Sequence, residues 1–67
     1  QSGQLAQALA ALRQADTCEP GNSRVLYELG ETYLRMGHEG EARECYKKLQ
    51  PIDMELAAGL LLSIIKR

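Results

Sequence analysis

The chain has 67 residues, room for one small domain, with eight Lys and Arg against nine Asp and Glu. Such a near-neutral, dispersed charge excludes the basic stripe of a nucleic-acid binder and the Lys-rich face of a membrane-surface helix. The longest apolar stretch, Leu56 to Leu62, falls far short of the ~20 residues that a spanning helix needs, so no membrane insertion is expected.

The first predicted helix covers 4–18. Leu5, Ala8, Leu9, Leu12 and Ala15 follow at steps of three and four, which places them on one helical face. Gln1 already continues this pattern and no Met precedes it, so the chain reads as a piece of something longer. Glu19-Pro20-Gly21-Asn22 then breaks the helix.

The second helix is expected over 23–36, capped by Asn22 or Ser23. Val25, Leu26, Leu29, Tyr33 and Met36 form its apolar stripe, with Gly30 inside it. A Gly there costs about 1 kcal/mol relative to Ala and signals the close approach of another backbone. Glu31 and Arg35 stand four apart in the favourable order. Gly37 ends the helix in a left-handed conformation.

The third helix spans 39–50. It begins with Glu39, Glu41 and Glu44 and ends with Lys47 and Lys48, a polarity that suits the helix dipole. Ala42, Cys45, Tyr46 and Leu49 make its apolar stripe, and Pro51 stops it. The fourth helix, 54–66, takes Asp53 as its cap. Between Met54 and Ile65 only Glu55, Gly59 and Ser63 are not apolar, so it requires cover on several sides.

Cys18 and Cys45 read as two separate reduced thiols filling small apolar sites. Together with His38 they lack any zinc spacing, so neither a metal nor a cofactor is expected. His38 sits on a turn, with no nucleophile placed beside it and no Gly-rich phosphate loop, so the chain reads as no enzyme. The compartment stays open.

A shift of 34 residues sets the first helix on the third: Gly3 on Gly37, Ala8 on Ala42, Leu12 on Tyr46 and Ala15 on Leu49. Leu26, Leu29-Gly30, Tyr33, Gly37, Ala42 and Tyr46 then follow at a known spacing. With them, Ser23 to Leu56 resembles one tetratricopeptide repeat, and Gly3, Ala8, Leu12, Ala15 and Pro20 resemble the second half of a preceding one. Leu26 stands where Trp is commoner in that family, and Leu49 where a small Ala is usual. Pro51 falls three residues early, and the last helix fits no clean register.

The resemblance implies an all-α fold of antiparallel helix-turn-helix repeats, a fragment of a right-handed superhelix. Residues 1–67 then form a single domain. Residues 1–22 supply the second helix of one repeat, 23–52 a helix pair, and 53–67 either a cap or the start of a further repeat. Gly30 and Ala42 would let the paired helices approach, with Tyr33 and Tyr46 filling the space left. The family's first helices line a concave groove that holds peptides, which puts Arg24, Tyr27, Glu31, Leu34 and Arg35 on the partner-binding side. The expected function is therefore a protein- or peptide-binding scaffold module within a larger protein. The alternative is self-association, a weak homodimer through Leu60, Leu61, Ile64 and Ile65 of the last helix.

Overall fold

A computed structural model describes residues 2–66, so the helical reading of Gln1 lies outside the described residues. Four helices follow one another: α1 (Ser2–Cys18), α2 (Ser23–Arg35), α3 (Glu39–Leu49) and α4 (Met54–Lys66). No strand occurs among the described residues. The all-α antiparallel arrangement expected from the sequence is therefore present. Each of the four helices lies within two residues of its predicted bounds.

The turns account for the helix ends. Gly37 adopts φ +81°. Its N–H donates to the Leu34 carbonyl at 3.1 Å, and the His38 N–H reaches back to the Tyr33 carbonyl at 2.8 Å. These two bonds close α2 as a Schellman motif, which a side chain with a Cβ adopts only under strain. Asn22 rather than Ser23 caps α2, its side chain accepting from the Arg24 and Val25 N–H groups at 3.1 and 3.3 Å. Asp53 does the same for α4, accepting from the Leu56 N–H at 3.1 Å. Each cap satisfies donors that the first helical turn leaves open.

These two caps expose a correspondence that a 34-residue shift hides. Pro20 and Pro51, Asn22 and Asp53, and the capped Val25 and Leu56 are all 31 residues apart. The turn between α3 and α4 therefore has the same length as that between α1 and α2. Its last helix does have a register, shortened by three residues, and the early Pro51 marks the shortening. The turns differ in conformation: Gly21 takes φ +86°, whereas Ile52 in the matching position has no positive φ.

The core is the contact zone of α2, α3 and α4. It consists of Leu26, Leu29, Leu34, Ala42, Cys45, Leu49, Ala57, Leu60 and Ile64, with Leu49 and Leu60 fully enclosed. α2 packs against all three other helices, α4 against α2 and α3, and α1 against α2 alone. The molecule measures 31 × 30 × 15 Å. Its short dimension is little more than one helix diameter of about 10–12 Å, so every helix keeps a solvent face.

That thinness shows in the burial of each helix. From Gly3 to Cys18 no α1 residue is fully buried: Leu5, Leu9, Leu12 and Ala15 are half-buried and Ala8 is exposed. Cys18 is exposed and fills no apolar site, because only α2 packs against α1, while Cys45 is buried; both thiols are free. In α2 the buried face includes Thr32, whose hydroxyl donates to the Glu28 carbonyl at 2.9 Å and so enters the interior satisfied. Gly30 does meet a close neighbour, but that neighbour is Leu60 of α4 rather than the hairpin partner α3.

Candidate partner-binding face

Three non-apolar residues interrupt α4 at intervals of four: Glu55, Gly59 and Ser63. That interval lays them along one stripe of the helix. Gly59 and Ser63 meet α2. A Cβ built on Gly59 would lie 3.7 Å from Tyr27 Cε1, so the tyrosine ring rests over bare backbone of α4. Ser63 Oγ donates to Glu31 Oε2 at 2.9 Å, joining the two helices on the same side. Partial burial, and then the adjacent Glu31 carboxylate, push the Tyr27 phenol above its ordinary value.

Arg24 and Arg35 stand exposed near the two ends of α2, on either side of Tyr27 and Glu31. Ser23, Arg24, Tyr27, Glu28 and Leu56 line an open cleft of about 480 Å³ at the start of the helix. Leu62, 57% exposed, extends the stripe on α4. The structure thus brings Tyr27 and Glu31 together with Ser63 and Gly59, which the sequence reading did not place at the site. Their spacing of four within an apolar helix was the available signal.

Leu34 does not belong to this face. It is 7% exposed and part of the core, because α4 packs across the side of α2 on which it was expected to be free. The Glu31–Arg35 pair expected along α2 is also replaced, since Glu31 is turned to Ser63 across the helix boundary. Leu60 and Ile64 are likewise corrected. They are 0% and 5% exposed, held between α2 and α3, and cannot form a self-association surface. Leu61 is half-buried, and Ile65 remains 68% exposed.

Two other hollows flank the core. One, of about 350 Å³, lies between α1 and α3 over Leu26, Leu29 and Tyr33, with Arg13, Asp16, Glu44 and Lys48 at its rim. Burial raises the Tyr33 phenol and the Cys45 thiol beneath it, leaving both protonated at neutral pH. The other, of about 380 Å³, separates α3 from α4 and is lined by Tyr46, Leu61, Ile64 and Ile65. His38 lies on its exposed turn, with Nδ1 3.4 Å from Glu41 Oε1. Among the described residues no three His, Cys, Asp or Glu side chains gather as a metal-holding group.

The family profile described as Tetratricopeptide repeat matches residues 1–64. No curated protein and no solved structure matches the chain. Tetratricopeptide repeats generally mediate protein–protein interaction and are typically non-catalytic.

Proposed function

Because this chain belongs to the tetratricopeptide repeat family, we propose that it binds an extended peptide segment of a protein partner across the face shared by α2 and α4. The observation that carries this reading is the joint between Tyr27, Glu31, Gly59 and Ser63. The Tyr27 ring lies where a Cβ on Gly59 would be 3.7 Å from its Cε1, so bare backbone of α4 supports it, and the Ser63 hydroxyl holds Glu31 at 2.9 Å. A tyrosine supported in this way presents a large, rigid and amphipathic contact at little entropic cost.

Each side chain then has a role. Tyr27 stacks on an apolar or proline-bearing residue of the peptide. The second carboxylate oxygen of Glu31 accepts from a peptide N–H or a basic side chain. Arg24 and Arg35 hold carbonyls or acidic groups at the two ends. Leu62 adds an apolar contact on α4. One helix pair and a neighbour offer only a short stretch of groove, so binding is weak and depends on a few anchors.

Selecting peptides from a random displayed library on the 67-residue chain tests the reading. Tyr27→Ala and Arg35→Ala should each weaken the selected peptides about threefold to tenfold by fluorescence polarisation, with helicity unchanged. Selected peptides whose affinity ignores both substitutions would sink the α2–α4 face as the binding surface.

A further inference from the structure

Tyr27, Glu31 and Arg35 follow at steps of four and lie along one side of α2. Resting on the reading that the face shared by α2 and α4 holds a peptide, we propose that the bound segment has the form apolar–x–arginine–x–acidic, its arginine paired with Glu31.

Glu31 selects the arginine. Its side chain is half-buried and turned to Ser63, whose Oγ donates to Oε2 at 2.9 Å. The Tyr27 phenol adjoins it: after burial, the Glu31 charge is the next cause that raises the phenol above its ordinary value. Both neighbours are neutral donors. The ion pairs among the described residues are His38 with Glu41 and Arg43 with Glu39, so no described cation compensates Glu31. Oε1 keeps lone pairs for a further donor, and a carboxylate partly removed from water gains most from a charged one.

Arginine suits this place better than lysine. Its guanidinium is planar, less strongly hydrated than an ammonium, and presents its N–H groups in a fixed fork. One N–H donates to Glu31 Oε1 and another to the Tyr27 phenol oxygen.

Spacing sets the rest of the motif. Side chains four apart on a helix are about 5–6 Å apart. Side chains two apart on an extended chain point the same way and are about 6.5–7 Å apart. Alternate residues of an extended segment lying along α2 therefore meet successive anchors: an apolar side chain on Tyr27, arginine at Glu31, and an acidic side chain at the exposed Arg35. The residues between them face solvent and are free to vary. Ser63 is a positioning residue. By holding Oε2 from α4 it keeps Glu31 out of the pair with Arg35 that their spacing on α2 favours, so both charges stay open to the peptide.

Four labelled peptides test this by fluorescence polarisation on the whole chain. They are Ser-Leu-Thr-Arg-Thr-Glu-Ser, its citrulline and lysine analogues, and Ser-Leu-Arg-Thr-Thr-Glu-Ser, in which the arginine is moved by one residue. Citrulline keeps the shape of arginine and loses its charge. The first peptide should bind about tenfold more tightly than the citrulline and shifted peptides, and about threefold more tightly than the lysine peptide. Glu31→Gln should abolish the preference for arginine over citrulline. Ser63→Ala should reduce that preference, and Ser63→Thr, which keeps the hydroxyl, should preserve it; circular dichroism confirms that each variant folds. Equal affinity for the arginine and citrulline peptides, with Tyr27→Ala still weakening both, would overturn the motif and leave the α2–α4 face standing. A preference that survives Glu31→Gln would overturn it as well, as would failure of all four peptides to bind. Binding that ignores both Tyr27→Ala and Arg35→Ala would sink the face and the motif together.

Discussion

Gly30 of α2 and Leu60 of α4 occupy one space between them: a Cβ on Gly30 would lie 2.5 Å from Leu60 Cδ2 and 2.8 Å from Cδ1. Leu60 is 0% exposed and therefore has little room to retreat. The absence of a side chain at residue 30 thus sets how closely α4 approaches α2, and with it the joint between Tyr27 and Gly59.

Gly30→Leu should therefore destabilise the fold by about 1–3 kcal/mol through overpacking. Pairing it with Leu60→Ala should return part of the loss, since the second change empties the volume that the first requires. Urea midpoints of the two single variants and the double variant measure this. Strict additivity would show that the two residues do not share the space.

Leu60→Ala alone should cost about 2–5 kcal/mol, whereas Ile65→Ala should stay within about 0.5 kcal/mol at concentrations too low for association. The contrast follows from 0% against 68% exposure on the same apolar helix. A domain of this size has only about 3–10 kcal/mol to lose, so Leu60→Ala should lower the melting temperature by about 8–40 °C. Equal effects at the two positions would overturn the orientation of α4.

Asn22→Ala and Asp53→Ala should each cost about 0.5–2 kcal/mol by releasing the N–H groups that their side chains hold. Replacing Ser23 with Ala should cost less than either, because Asn22 already occupies the cap position. Thermal unfolding followed by circular dichroism ranks the three. A Ser23 effect larger than that of Asn22 would contradict the cap assignment.

The two thiols should separate under a disulfide-exchange reagent. Cys18 is exposed and should react at once, while Cys45 should react only as fast as the fold opens. Burial raises the Cys45 pKa above its ordinary 9.0, with Lys48 opposing and nearby acids adding to the rise. The sign follows: as pH climbs past 9 the unfolded chain releases a thiol proton that the folded chain retains, so stability falls with pH in that window. Cys45→Ala should flatten that part of the stability–pH curve. An unchanged slope would assign the loss to other groups.

Much of this protein was determined locally. Helix periods, the Gly37 stop, the breaks at Pro20 and Pro51 and the choice of Asn and Asp as caps depend on short stretches of chain. Local propensity and hydrogen bonding therefore specify them before anything packs. The family pattern carried by Leu26, Leu29-Gly30, Tyr33, Gly37, Ala42 and Tyr46 was legible for the same reason, as were Arg24, Tyr27, Glu31 and Arg35 as residues of a polar face. Tertiary packing decided which apolar residues were free. Leu34, Leu60 and Ile64 looked available because periodicity gives a helix its stripe but not the number of neighbours around it. α2 has three neighbours and α4 two, which buries Leu34 and Ile64 while leaving Ile65 in solvent. The partners of Gly30 and Glu31 were beyond reach for a related reason. Each is met across about 30 residues of sequence, and such a contact exists only once α4 has folded against α2.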